Sequence, residues 1–197
     1  MNLTTRMILV LTSVGILSGG FLASVGSLTK KPIALNTLKG VQDAILQVVP
    51  DTDESEKLHE EKDFTVYGGM DDTGQLIGYA VYTSGTGFQD VITLMYGTDV
   101  AISKINRMVI IDQAETPGLG AKITEKETFL QFWENRDASQ PLTLRKPAVD
   151  SPAELSASEV NTITGATISS EKVLETVNLS LDKLKRLKDE GKLERED

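Results

Sequence analysis

Residues 7–28, MILVLTSVGILSGGFLASVGSL, contain no charged side chain. At about 1.5 Å per residue, such a run forms a helix of about 33 Å, enough to cross the hydrocarbon core of a bilayer. Arg6 precedes it and Lys30 and Lys31 follow, so positive charge flanks both ends and does not set the orientation. A cleaved leader usually has a shorter apolar stretch. A retained anchor is therefore expected, rather than a signal cut near Ala23-Ser24-Val25. Gly15 and Gly19 form a small-xxx-small pair, which would let another helix approach closely or simply reflects how common glycine is in membrane helices.

Lys30-Lys31-Pro32 is expected to end the anchor. Leu35, Leu38, Val41, Ile45 and Val48 recur at helical spacing, which predicts an amphipathic helix over residues 34–49, stopped by Pro50. Residues 51–63 are polar and mostly acidic and are expected to form a connection. Alternation then predicts strands over residues 64–69 and 75–83, joined at Asp71-Asp72-Thr73-Gly74, and over residues 90–97 and 105–112. Ser84-Gly85-Thr86-Gly87-Phe88 reads as a glycine loop between the second and third strands, and residues 98–104 as a turn. A helix is expected over residues 125–134, with Phe129, Phe132 and Trp133 packing inward. Residues 135–155 read as irregular, with one short strand near residues 142–144. A last helix is expected over residues 168–189, with Val173, Val177, Leu181 and Leu184 on its apolar face. The predicted class is α+β, an antiparallel meander of about four strands flanked by helices, with one N-terminal transmembrane helix. The expected domains are an anchor (1–31), a soluble domain (32–189) and a charged tail (190–197).

Composition narrows the chemistry. The 197 residues carry a formal net charge of −9, which argues against a nucleic-acid partner. With no cysteine and one histidine, the chain offers no disulfide, no thiol nucleophile, no cysteine-ligated cluster and no His/Cys metal set. His59 lies in a charged run and reads as a surface residue. Redox chemistry in such a chain would need a borrowed cofactor.

The chemically informative segment is Val160-Asn161-Thr162-Ile163-Thr164-Gly165-Ala166-Thr167-Ile168-Ser169-Ser170. It reads as a small-residue turn opening the last helix. Free N–H groups at a helix start carry positive potential and suit a phosphate, and the hydroxyls of Thr164, Thr167, Ser169 and Ser170 crowd the same place. From the residues alone, a Ser/Thr-capped helix start is the favoured explanation of the segment. The Walker loop is excluded, because no Gly-Lys-Ser/Thr follows.

Thr164-Gly165-Ala166-Thr167, followed by Ile168-Ser169-Ser170, resembles the flavinylation motif of the FMN-binding domain family. Glu115-Thr116-Pro117-Gly118-Leu119-Gly120 resembles that family's second motif, a loop beside the flavin. Gly85-Thr86-Gly87-Phe88 resembles its glycine–aromatic loop. The three occur in family order behind one anchor helix, and the resemblance spans essentially the whole chain. It looks closest to the G-subunit family of Rnf-type ion-translocating ferredoxin:NAD+ oxidoreductase complexes. The C-type subunits of sodium-translocating NADH:quinone reductases are similar but typically longer.

The resemblance implies FMN joined through its phosphate to Thr167, placed there by a flavin transferase outside the cytoplasm. It implies cofactor contacts from Thr164, Gly165, Ala166, Ser169, Ser170, Glu115, Thr116, Pro117, Gly118, Leu119, Gly120, Gly87 and Phe88, with no catalytic acid or base and no metal. The expected role is a single-pass, membrane-anchored electron carrier whose partners are other membrane and redox subunits, with little activity alone. A stand-alone extracytoplasmic flavin reductase and a C-type reductase component are the alternatives. One departure stands out: the family usually has aspartate six positions before the flavin-bearing threonine, and this chain has Asn161, expected to support the turn by hydrogen bonding.

Overall fold

The computed structural model describes residues 2–193, except for the side chains of residues 27 and 29–38. Residues 194–197 of the expected tail (190–197) and the side chains of Leu35 and Leu38 therefore lie outside the described residues, while Leu193 is buried in the core. Two compact units are present, residues 1–41 and 42–197.

The first unit holds most of helix α1 (Leu3–Val48). Its apolar stretch, Leu3–Gly26, is long and apolar enough to cross a membrane, and none of that window is buried. The helical backbone continues through Pro32, which was expected to end the anchor. Proline withholds one donor there, and the helix continues past it without a break in its secondary structure.

The second unit is α+β. Its sheet is an antiparallel meander of six strands in sequence order: β1 (Glu54–Glu61), β2 (Phe64–Met70), β3 (Leu76–Thr86), β4 (Val91–Asp99), β5 (Lys104–Asp112) and β6 (Arg136–Asp137). β1 replaces the connection expected over residues 51–63. It pairs with β2 from Glu54 opposite Met70 to Glu61 opposite Phe64. An edge strand needs few apolar residues, and charge on it keeps other chains from pairing there, which is why an acidic run can be a strand. His59 is part of this strand and is half-buried, with its ring edge-on to Phe64 and its Nε2 2.8 Å from Glu61 Oε1. The turn between β2 and β3 forms as expected: Asp71 Oδ1 accepts from the Thr73 and Gln75 amides, and Gly74 takes φ +78°.

Helix α2 (Thr167–Asp189) buries Val173, Val177, Leu181 and Leu184 against the sheet face carrying Phe64, Val66, Tyr79, Val81, Leu94, Tyr96 and Ile105. Each large apolar side chain withdrawn from water contributes about 1.5–3 kcal/mol. Tyr96 Oη lies 2.9 Å from Ser180 Oγ inside this layer, and burial pushes the phenol well above its ordinary range. Within the second unit, the end of α1 packs on the opposite face, where Val48 and Val49 are buried. A Cβ on Gly97 would run into the Val48 carbonyl, and those on Gly69 and Gly78 would press on Val49. Small residues in β2, β3 and β4 thus make room for this helix end.

The helix expected over residues 125–134 is absent. A non-helical turn over residues 126–129 and a 3-10 turn, Leu130–Trp133, take its place, after another 3-10 turn at Gly120–Thr124. Amides there bond three, four and five residues back, as in Phe132 to Phe129, Phe129 to Glu125 and Gln131 to Lys126, so no regular helix propagates. The aromatic residues still turn inward: Phe129, Phe132 and Trp133 are buried, with Phe129 and Trp133 edge-to-face at 5.8 Å. The short strand expected near residues 142–144 forms as β7 (Thr143–Arg145), and it pairs in parallel with β8 (Glu159–Asn161), which leads into the turn before α2.

Candidate functional site

Three segments far apart in sequence meet around one cavity of about 300 Å³ in the second unit. They are the β3–β4 connection, the loop after β5 and the start of α2. The cavity is lined by Phe88, Thr116, Leu119, Gly120, Gly165, Ala166, Thr167, Ile168 and Ser169.

The α2 start is built by a tight turn. The Ala166 amide donates to the Ile163 carbonyl at 2.9 Å, with Gly165 at φ +84°, a conformation that favours glycine. Ser170 is fully buried. Its Oγ accepts from the Ile163 amide and donates to the Ala166 carbonyl, both at 3.1 Å, which binds the turn to the first helical turn. The N-cap residue is Ala166, and no side chain caps the helix. That differs from the Ser/Thr-capped start considered from the residues alone, and it leaves the positive end of the helix for another acceptor.

The loop after β5 folds on itself. The Thr116 carbonyl accepts from the Leu119 and Ala121 amides at 3.1 Å each, with Gly118 at φ +75°. Pro117 and Gly118 are exposed on the outer side of this turn, and Leu119 and Gly120 face the cavity. On the β3–β4 connection, the Gly87 amide donates to the Asp90 carbonyl at 2.8 Å, which leaves Phe88 at the tip. Thr116 Oγ1 donates to Gln89 Oε1 at 2.9 Å and ties the two loops.

Glu115 stands behind the cavity wall rather than in it. It is 4% exposed. Its Oε1 accepts from the Phe88 amide at 2.8 Å and the Gln89 amide at 3.0 Å, and its Oε2 accepts from Ser169 Oγ at 2.6 Å. One carboxylate therefore touches all three segments.

Of the residues singled out in the sequence, Phe88, Thr116, Leu119, Gly120, Gly165, Ala166, Thr167 and Ser169 share the cavity. Gly87 and Glu115 support it from behind. Thr164 is exposed beside the turn, Ser170 faces inward, and Pro117 and Gly118 lie outside. Gly85 belongs to β3 rather than to a loop, and it meets Thr176 of α2. Ile168, Gln89 and Gln113 were not singled out. Ile168 lines the cavity, and Gln113 Oε1 accepts from the Glu115 amide at 2.6 Å. The available signal was a large apolar residue, Ile168, in a helix's otherwise polar first turn.

The arrangement fits a flavin. Phe88, Leu119 and Ile168 are 62%, 49% and 48% exposed, an amount of open apolar surface around a concavity that suits a flat, largely apolar ring. Beside them lie the Thr167 hydroxyl and an uncapped helix start, which suit a phosphate. Among the described residues, no group of three His, Cys, Asp or Glu side chains could hold a metal.

Residues 87–182 match the family model described as FMN-binding domain. The chain is 26% identical over 185 residues to the G subunit of the ion-translocating oxidoreductase complex of Methanosarcina acetivorans, covering 90% of this chain and 93% of that one. It is 30% identical over 109 residues to the G subunit of the Na(+)-translocating ferredoxin:NAD(+) oxidoreductase complex of Acetobacterium woodii, covering 55% of this chain and 49% of that one. The fold is similar to crystal structures of NqrC from Shewanella oneidensis (TM-score 0.52, 22% identity, 70% of each chain) and of the C subunit of the Na(+)-translocating NADH-quinone reductase from Parabacteroides distasonis (TM-score 0.50, 24% identity, 68% of this chain and 64% of that one). Residues 87–182, which hold every wall of the cavity, are an FMN-binding domain, and the chain is a homologue of the G subunits of the ion-translocating oxidoreductase complexes.

Proposed function

We propose that this chain is the membrane-anchored electron-transfer subunit of an Rnf-type ion-translocating ferredoxin:NAD+ oxidoreductase complex, with FMN joined through its phosphate to Thr167. The observation that carries the proposal is the position of Thr167: on the wall of an apolar cavity, at a helix start that no side chain caps. Attachment from FAD would break the bond between the FMN phosphorus and the oxygen that bridges it to the AMP phosphorus. It forms a bond from Thr167 Oγ to the FMN phosphorus, releases AMP and passes the hydroxyl proton to solvent. The phosphodiester keeps one negative charge, which the α2 amides stabilise. A covalent tether also prevents loss of the cofactor where free FMN is scarce.

The bound flavin supplies the redox chemistry. The chain's own residues hold it: Thr167 as the anchor, Phe88, Leu119 and Ile168 as apolar walls, and Gly120 and Gly165 as the places where backbone comes close. None of the nine cavity residues is titratable. That suits passage of electrons between partner centres better than protonation of a substrate, so the carrier reading is favoured over a stand-alone reductase. The apolar stretch of α1 is the membrane anchor, residues 32–189 form the extracytoplasmic domain, and residues 190–197 are a charged tail. The partners are the other membrane and redox subunits, with a flavin transferase during maturation.

Solubilising native membranes and isolating the chain through an affinity tag tests the assignment to a complex. The expected result is co-isolation with several multi-helix membrane proteins and ferredoxin-dependent NAD+ reduction by the assembly. A chain that is isolated alone and reduces a small acceptor by itself contradicts it.

A further inference from the structure

We infer that Glu115 is the positioning residue of the flavin site, with its two carboxylate oxygens locking the three cavity segments together and its charge acting on the flavin from behind the wall. The inference rests on the reading of Thr167 as the FMN-bearing residue.

The geometry uses both oxygens. Oε1 takes two backbone amides of the β3–β4 connection, Phe88 and Gln89, and Oε2 takes the hydroxyl of Ser169, two residues beyond Thr167. The backbone is fitted closely around this carboxylate. A Cβ on Gly87 would collide with Oε1, and one on Gly120 would come within 2.5 Å of Oε2 and 2.6 Å of Ser169 Oγ. Gly87 and Gly120 are thus places where only a bare backbone lets the loops close onto Glu115.

The chemistry is expensive for a purely structural tie. Glu115 is almost fully withdrawn from water, its hydrogen-bond partners are two amides and a hydroxyl, and among the described residues no salt bridge includes it. A carboxylate left without a cation in such a place is costly, and neutral groups can join loops without that cost. The tie and the charge have separable effects. The tie fixes Phe88 and the first turn of α2 relative to each other, and so fixes where the Thr167 hydroxyl and the ring wall stand. The charge lies immediately behind Gly120 and Ser169, both of which line the cavity. Negative charge there opposes added electron density on the flavin and so lowers its midpoint potential.

Glutamine separates the two effects. Its oxygen can still accept from the Phe88 and Gln89 amides while its NH2 donates to Ser169 Oγ, which can act as acceptor. The tie survives and the charge is lost. Alanine removes both.

The experiment uses the full chain, the flavin transferase and FAD, with the FMN adduct followed by intact mass and the Phe88 and Gln89 amides by hydrogen exchange. In E115A that remains folded by thermal unfolding, both amides exchange about ten-fold faster and loading slows by about ten-fold, the scale of a lost buried hydrogen-bond set. E115Q recovers loading to within about three-fold of the wild type, and its bound flavin has a more positive midpoint potential. A folded E115A that loads at the wild-type rate overturns the positioning role, and an unchanged potential in E115Q overturns the role of the charge. If E115A does not fold, S169A removes only the Oε2 arm and must still slow loading; an unchanged rate overturns the tie. A wild-type chain that takes no FMN sinks the flavin reading itself, whereas a loaded wild type beside an equally loaded E115A sinks only this inference.

Discussion

Asn161 grips the backbone of Val149 from both sides: its Nδ2 donates to the Val149 carbonyl at 2.8 Å, and its Oδ1 accepts from the Val149 amide at 3.0 Å. Asn161 is 2% exposed at the end of β8, so the pair fixes the strand that leads into the turn before α2. A carboxamide matches a peptide's donor and acceptor together, and a carboxylate cannot, because it has no donor. Asparagine thus ties the end of β8 to Val149 through both ends of its carboxamide, and neither bond reaches the turn at residues 163–166.

Asn161→Asp therefore destabilises this chain although it restores the family's usual residue. The Val149 carbonyl loses its donor and faces a buried charge, a cost of about 1–3 kcal/mol. Urea unfolding of the wild type and variant measures it. Equal midpoints with equal slopes would show that the clamp contributes nothing.

Gly97 lies on β4 directly under the end of α1, where a Cβ would meet the Val48 carbonyl. Backbone cannot swing aside as a flexible side-chain tip can, so Gly97→Ala forces the helix end or the strand to shift. The expected loss is about 1–3 kcal/mol, the usual scale of overpacking. Gly15→Ala, in the apolar stretch with nothing within 4 Å of the added carbon, is the comparison substitution. Thermal unfolding that shows no difference for Gly97→Ala refutes the close contact.

Glu61 joins β1 to α2. Lys183 Nζ donates to its Oε2 at 2.7 Å, and His59 Nε2 lies 2.8 Å from its Oε1. These hydrogen bonds, that from Lys183 foremost, hold its carboxyl down from 4.5 to about 2. A lowered folded-state value means that the contribution is present above about 4.5 and is lost as pH falls toward 2. Both side chains are partly exposed, so the pair also weakens with salt. In Lys183→Met the Glu61 titration moves up toward the ordinary carboxylate range, as NMR of the side-chain carboxyl would record. An unmoved titration would mean that Lys183 is not the cause.

The strands β2 to β5 and the apolar face of α2 were legible because their large apolar side chains recur on the side that faces the core, even where small residues in β2 and β4 are also buried on the other side. Val66, Val81, Leu94 and Val177 are fully buried where period two or period 3.6 places them. β1 was not legible. ESEKLHEE has one large aliphatic residue, Leu58, and its strand form comes from pairing with β2, a long-range fact. The 125–134 segment misled in the other direction: aromatic residues at positions 129, 132 and 133 have helical spacing, but the same burial is reached by short 3-10 turns. At the site, motif resemblance marked most of the wall but missed Ile168. What sequence could not give was the division of labour among neighbours. Ser169 faces the cavity and Ser170 faces the turn, although they are adjacent hydroxyls, because a helix turns about 100° between consecutive residues.

The most direct measurement is intact-mass and peptide mass spectrometry of the chain isolated from its native membranes, with Thr167→Ala processed alongside. The expected result is an FMN-phosphoryl adduct on the peptide that contains Thr167, absent in Thr167→Ala. A native wild-type chain with unmodified Thr167 and no flavin bound by other means would contradict it and leave the segment as the uncapped start of a structural helix.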